Sequence, residues 1–214
     1  MSTYLALVGA TFAISTGLAS AKVVSNITNA SPPVLTVTSH GYSNADEVLL
    51  VVDWEDFNYS IVRVSNQATN SFEVAGYDTT NQVFYPQGSD SGNAYKISGW
   101  QALGQILGIT ASGGDAKYEE LAPFDKRNGV KIPTGFNASS LEFELGFNDT
   151  RTDQTLLLAA SRSQSLLGFR FVLAGPTYAY AYGTVSCSAL PIFDRVLKRR
   201  VSVSMDGMFT SFTA

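Results

Sequence analysis

The stretch that decides the fold runs from Ile132 to Ser188 and reads IPTGFNASSLEFELGFNDTRTDQTLLLAASRSQSLLGFRFVLAGPTYAYAYGTVSCS. Within it, Ser140–Phe147 alternates apolar and polar residues, which is the period of a β-strand with one buried face. Glu142 and Glu144 share the polar face. Because the opposite face is apolar and has to pack inward, we expect both glutamates to face water.

One α-helix is predicted next, near residues 151–163. Thr150 and Asp153 have the spacing of a capping box, and the run LLLAAS follows them directly. Two more alternating strands then appear, one from Leu167 to Leu173 and one from Tyr178 to Ser188. The order strand, helix, strand, strand is not the pattern of an enzyme core.

Outside this stretch the chain shows short strand signals separated by turns, which is typical of a sandwich or barrel. Residues 96–109 fit a short helix or a strand equally well. Residues 77–95 and 112–130 read as long loops, the second with a hairpin-turn signal at Asn128-Gly129. The remaining strand signals are Val34–Thr38, Glu47–Asp53, Tyr59–Val64, Ser71–Ala75 and Val201–Phe212.

The composition supports a folded, strand-rich chain. The 214 residues are 45% hydrophobic and 15% charged, enough for a sizeable core, and we expect one domain over 1–214. The net charge of −4 argues against a protein that grips duplex DNA, because such proteins cluster Lys and Arg against phosphates. Residues 1–116 carry a net charge of −6 and residues 117–214 a net charge of +2. This asymmetry either helps like subunits stack or is chance.

The N-terminal run MSTYLALVGATFAISTGLASAK has the apolar character of a signal peptide, but no basic residue precedes Lys22. The interrupting Gly, Ser and Thr residues favour a strand from about residue 10 instead. No segment is long and apolar enough to span a bilayer. We therefore expect synthesis in a cytoplasm and no membrane insertion.

Residues for catalysis or metal binding are scarce. His40 is the only histidine and lies in a turn, and Cys187 is the only cysteine and fits a small core position. Asp53, Glu55 and Asp56 cluster in one loop without the spacing of a calcium loop, so a solvated tip is the better interpretation. We expect no enzymatic activity and no cofactor.

Two further patterns have alternative interpretations. The basic run Lys198–Arg200 could contact nucleic acid, but we favour solvation at a strand end or an ion pair between subunits. Tyr178, Tyr180 and Tyr182 form a stripe that suits a base or sugar platform, but more often packs across strands or against another subunit.

Several segments together resemble the major tail tube proteins of bacteriophages with long, non-contractile tails of the siphovirus type. The strand–turn–strand PPVLTVTSHGYSNADEVLLV spans Pro32–Val51, although Ala45 stands where the family's phrase has glycine. IVRVSNQATNSFEVAGYDTTN follows at Ile61–Asn81. The Ile132–Gly135 turn with its following helix, GTVSCSALP, and the strand Val201–Phe212 complete the match. The order of these segments over most of the chain carries the resemblance.

The resemblance implies a β-sandwich or half-barrel with one flanking helix. It also implies rings of six copies that stack into a hollow virion tail tube, through which DNA passes without specific binding. The implied partners are other copies of the chain, a tape measure protein, a tail terminator and baseplate proteins. Glu142 and Glu144 are then candidates to face the lumen, and the two long loops are candidates for contacts between rings.

Other functions stay open from the sequence. The chain could be a different phage ring protein, such as a tail terminator, a connector or a baseplate component, which would form single rings. Less in keeping with the sequence is a carbohydrate-binding β-sandwich that uses Trp54, Trp100 or the tyrosine stripe.

Overall fold

The computed structural model describes residues 9–88, 90–122, 124, 127–173 and 177–213. Within them the chain forms sixteen β-strands and one α-helix. The first eight residues of the N-terminal apolar run lie outside the described residues, and the rest of that run forms a strand from Thr11, as predicted.

The N-terminal part of the chain is built from eight strands and a 3-10 turn at Glu55–Phe57. The strands are β1 Thr11–Leu18, β2 Lys22–Val24, β3 Asn26–Ile27, β4 Val34–Thr36, β5 Glu47–Val52, β6 Ile61–Ala68, β7 Ser71–Val74 and β8 Gly92–Leu103.

The C-terminal part contains the other eight strands and the helix. They are β9 Ile106–Ser112, β10 Ala116–Leu121, β11 Val130–Phe136, β12 Ser140–Gly146, α1 Thr152–Ser163, β13 Leu166–Val172, β14 Thr177–Cys187, β15 Lys198–Met205 and β16 Thr210–Thr213.

Fourteen strands form one antiparallel sheet in the order β3-β4-β7-β6-β5-β8-β1-β13-β14-β15-β12-β9, with β2 beside β8 and β16 beside β14. The long strand β8 joins its two parts: residues 92–96 pair with β5, and residues 97–103 pair with β1. In the described part of the chain, β3 and β9 lie at opposite ends of this order, so the sheet does not close into a barrel.

The sheet folds over itself, which makes the molecule sandwich-like. One apolar cluster lies within the N-terminal part, and a second lies between α1 and strands β1, β12, β13, β14 and β15. A third joins the two parts and includes Leu49, Ile61 and Tyr180. A Cβ on Gly168 would lie 2.9 Å from Cδ1 of Ile61, so this glycine permits the close approach of β6 to β13. The predicted mainly β, sandwich-like fold with one helix is confirmed.

The helix lies where it was predicted, but the capping box is wrong. The N-cap residue is Arg151, which makes no side-chain cap, and the Thr150 hydroxyl donates to Asn148 Oδ1 at 2.7 Å. The buried Asp153 carboxylate instead accepts the N–H of Gly104 at 2.9 Å and the Arg151 guanidinium. One contact from a distant segment and one from the neighbouring Arg151 thus occupy the carboxylate that the motif assigned to the capping box.

The ambiguous and loop-like segments contain more strand than predicted. Residues 96–109 form most of β8 and β9, joined at Gly104-Gln105. The predicted long loop at 112–130 is wrong in part, because β10 within it pairs with β11 to form a separate two-stranded sheet. We refer to this pair of strands, β10 and β11, as the arm. The predicted loop at 77–95 ends earlier, since β8 begins at Gly92.

The residue that departs from the family's glycine has a backbone suited to glycine. Ala45 has φ 71°, in the left-handed region, two residues before the start of β5. An alanine there is strained by its Cβ, which explains why this turn favours glycine.

Candidate assembly surfaces

A polar sheet surface surrounds the two predicted glutamates. Glu142 on β12 lies opposite Thr110 of β9 on one side and Ser202 of β15 on the other, and Ser202 lies opposite Ser186 of β14. Glu142 is exposed and Glu144 is half-buried. Both therefore lie on the side of the strand away from the core, as the alternation predicted.

The apolar side of the same strands makes the surface rigid. Leu141, Phe143 and Leu145 are buried in the cluster beneath α1. The Phe143 ring packs against Phe169 and Phe171 at centroid distances of 5.8 and 6.4 Å. Since a one-residue slip would exchange these rings with the glutamates, the register of β12 is strongly specified.

The basic run beside this surface is mostly neutralised within the chain. Lys198 Nζ lies 3.5 Å from Glu144 Oε2. Arg199 is almost fully buried and donates to Asp149 Oδ1 at 2.5 Å and to Gln154 Oε1 at 3.1 Å. The expectation of a solvated strand end or an intersubunit ion pair is wrong for Arg199, while Arg200 is exposed.

Strand β9 is an open edge next to the polar surface. Among the described residues it pairs only with β12, over Ile106–Ser112. The outward N–H and C=O groups of such an edge are a template for pairing with another strand.

The arm extends the β9–β12 ribbon beyond the end of the sheet. Its strands pair only with each other in the described part of the chain, and nearly every residue of both strands is exposed. The exposed apolar side chains include Tyr118, Ile132 and Phe136. A two-stranded hairpin of this kind is marginally stable alone in water, so the arm is suited to packing against another surface.

A partly buried polar network, which the sequence did not reveal, joins the two parts of the sheet. The carboxylate of Glu47 on β5 accepts the Tyr180 hydroxyl at 2.5 Å, the Arg170 guanidinium at 3.2 Å and the indole N–H of Trp100. The Arg170 guanidinium carbon lies 4.8 Å from the centroid of the Trp100 ring. Burial, followed by the hydrogen bond to Glu47, raises the pKa of Tyr180 well above its usual range. More than 120 residues separate Glu47 from Arg170, so no local motif could signal this contact.

The aromatic residues considered for sugar binding are largely in the core. Trp54 and Tyr180 are each 1% exposed and Tyr182 is 6% exposed, so their faces are closed to a sugar ring. Trp54 donates to the Pro86 carbonyl at 2.8 Å. Of the three acids predicted to form a solvated tip beside it, Asp53 and Glu55 are exposed and Asp56 is half-buried.

The candidate catalytic residues have structural environments. His40 is buried, with Nε2 2.8 Å from the Ala68 carbonyl oxygen and Nδ1 accepting the Tyr42 N–H at 2.9 Å. Cys187 is buried, and burial raises the pKa of its thiol, which disfavours the reactive thiolate. In the described ranges no group of three or more His, Cys, Asp or Glu side chains could hold a metal ion. No helix there combines the length and apolarity needed to cross a bilayer.

Comparison with protein families supplies the identity of this architecture. The family model described as "Phage tail tube protein, TTP" matches residues 52–214. The chain belongs to the phage tail tube protein family. The match includes the polar surface, the open edge, the arm and α1. Comparison with curated proteins found no match. Family membership assigns a structural role in the virion tail and self-assembly into a tube.

Proposed function

We propose that this tail tube protein forms rings of six copies, and that the rings stack into a hollow tube through which phage DNA reaches the host. In this proposal the whole chain acts as one domain. The observation that carries it is the open edge of β9 beside a rigid polar surface.

The open edge supports ring closure. An edge strand of seven residues left exposed would invite uncontrolled pairing. Contact with a different surface of the next copy, repeated around a closed ring, satisfies every edge without leaving a free end. The sheets of neighbouring copies then continue one another, and the polar surface faces the same side in every copy.

The polar surface supports a lumen lined in part by Glu142 and Glu144. Lysine and arginine neutralise phosphates and hold DNA tightly, whereas carboxylates repel it. Lys198 is paired with Glu144 and with Asp194. Among the described residues, the exposed Arg200, opposite Glu144, is therefore the main unpaired positive charge on this surface, and Glu142 is its unpaired carboxylate. Two acidic and two basic side chains balance on this face, so it lacks the excess of positive charge that would hold DNA and stall its passage.

The arm and the residue 77–91 loop support contacts with other copies. Val83 and Phe84 in the loop are 84% and 57% exposed, and Phe136 in the arm is 79% exposed. Apolar side chains this exposed on a folded protein mark interaction surfaces. The proposed partners at the ends of the tube are a tail terminator and baseplate proteins, with a tape measure protein in the lumen. Synthesis takes place in the host cytoplasm before incorporation into the tail.

Electron microscopy of the purified protein over a concentration series tests this function. Stacked rings or tubes with a central channel are the expected result, and image averaging gives the ring number. Isolated rings that never stack would instead indicate a terminator or connector. Monomers at every concentration, with or without a tail initiator complex, would refute the proposal.

The edge contact is tested by Thr110→Pro and Ala111→Pro, two exposed neighbours on β9. Consecutive N–H groups of a strand point to opposite edges, so one proline removes a hydrogen bond to β12 and the other removes only an outward N–H. We expect the variant that removes only the outward N–H to keep the stability of the wild-type monomer and to lose ring formation. Normal rings from both variants would exclude β9 as the closing edge.

A further inference from the structure

The connection between β14 and β15 exposes an apolar tip. In the segment Ser188–Leu197, here called the tip loop, Leu190 is 78% exposed, Phe193 82% and Val196 57%. Three large apolar side chains so close together cost solvation free energy in water, and the cost is recovered only if another surface covers them.

The tip loop is held in shape by its own contacts. Ile192 and Lys198 exchange backbone hydrogen bonds of 2.8 and 3.1 Å. Lys198 Nζ, which also pairs with Glu144, lies 3.4 Å from Asp194 Oδ2 and offsets part of the charge of this acid, and the exposed Arg195 adds a positive charge to the tip. A preformed loop loses little conformational entropy on docking.

An apolar groove with acidic residues lies elsewhere on the molecule. Its volume of about 790 Å³ is in the range of ordinary binding sites. We call it the end groove. Its apolar wall includes Val83, Phe84, Phe136, Met208 and Phe209. Three carboxylates, those of Glu55, Asp56 and Asp206, also line it.

The tip loop and the end groove lie at opposite ends of β15. The tip loop leads directly into Lys198 at the start of the strand, whereas Met205 at its end lines the groove. Seven residue steps separate these positions, which is roughly 23 Å at the rise of a β-strand. A surface at one end that fits a surface at the other makes a head-to-tail contact, and such contacts repeat without limit.

We propose that the tip loop of one copy inserts into the end groove of a second copy and makes the axial contact between stacked rings. Phe193, Leu190 and Val196 pack against the apolar wall, and Arg195 lies among the three carboxylates. Apolar burial provides the affinity, and the charge pairing sets the direction of stacking. This inference rests on the proposed tube and names the surfaces that make the tube grow.

Phe193→Glu tests the contact, with Val23→Glu as the matched control on an apolar side chain that is 70% exposed on β2. We expect Phe193→Glu to form single rings and to raise the concentration needed for stacking about tenfold or more. Phe193→Leu, which keeps an apolar side chain, is expected to stack at a concentration close to that of the wild type. Arg195→Glu is expected to weaken stacking, and Arg195→Glu combined with Glu55→Arg to recover it. Wild-type stacking by Phe193→Glu would overturn the inference while leaving the tube function intact.

Disulfide cross-linking detects the same contact between two copies and does not require long tubes to form. We would mix a Phe193→Cys variant with a Met208→Cys variant under oxidising conditions, since the native Cys187 is buried. The expected product is a disulfide-linked heterodimer. A yield no higher than that from mixing Val23→Cys with Met208→Cys would overturn the inference. If the wild-type protein itself formed no rings, the proposed function would be refuted instead.

Discussion

Replacing Glu47 by alanine is expected to lower the free energy of unfolding of the monomer by about 3 kcal/mol. Glu47 is 13% exposed at its side chain, and it accepts hydrogen bonds from Arg170, Trp100 and Tyr180. Alanine removes the acceptor for all three at once. The two parts of the sheet then lose the polar contact that joins them.

The magnitude follows from what the three donors lose. The Tyr180 hydroxyl and the Trp100 N–H are left without the carboxylate, and an unsatisfied buried group costs about 1–3 kcal/mol. Arg170 is 27% exposed, so its guanidinium turns partly to water and its loss lies near 1 kcal/mol. Taking the low end for each group gives about 3 kcal/mol, equivalent to a fall in Tm of about 6–12 °C for a chain of this length.

Urea unfolding followed by circular dichroism and by tryptophan fluorescence measures this change, because Trp54 lies in the N-terminal cluster and Trp100 lies in the network. Protein concentration must stay below that needed for assembly, since ring contacts add their own stabilisation. Glu119→Ala on the exposed arm is the matched control and is expected to change stability by less than about 0.5 kcal/mol. Glu47→Gln keeps an acceptor oxygen but no charge, so its loss of stability is expected to lie between those of Glu119→Ala and Glu47→Ala. If Glu47→Ala matches the control, the network does not hold the two parts together.

Two further outcomes concern the turn before β5 and the buried tyrosines. Ala45→Gly is expected to raise the free energy of unfolding by about 0.5–1 kcal/mol, because relief of the left-handed strain exceeds the added entropy of the unfolded chain. Urea unfolding measures this change, and a stability equal to or below that of the wild type would contradict the prediction. Burial raises the pKa of Tyr42 to about 12 and that of Tyr77 to about 12, from an ordinary value of 10.0. The folded protein then keeps protons that the unfolded chain releases, so this stabilisation is complete below pH 10 and is lost as the pH rises towards 12. Urea midpoints at pH 9, 10 and 11 check the sign, and a midpoint that rises over this interval would refute it.

Local patterns were sufficient for much of the fold and for one part of the candidate site. The alternation in Ser140–Phe147 predicted which face of β12 is buried, because side chains of a strand point alternately to its two sides. The same reasoning placed Glu142 and Glu144 on the polar surface. The apolar run LLLAAS after Thr150–Asp153 located α1, although the capping box itself does not form. The segments that carried the family resemblance also depend on the order of residues along the chain, which is why the family could be named before the fold was known.

Other features depended on where distant segments meet. The Thr150–Asp153 spacing predicted a cap, but a backbone N–H from Gly104 and the Arg151 guanidinium compete for the carboxylate. Residues 96–109 were ambiguous because their glycines and apolar residues fit both periods, and pairing with β1 and β12 decided for strands.

The sequence by itself determined the strand-rich class, the single helix, the polar face of β12 and the family. Only the tertiary structure decided that Glu47 meets Arg170 across the two parts of the sheet, that β9 is an open edge, and that the tip loop and end groove lie at opposite ends of β15. The physical reason is that periodicity and turn chemistry act over a few residues. Contacts between distant segments depend instead on the total of many packing and hydrogen-bonding free energies, which no local pattern contains.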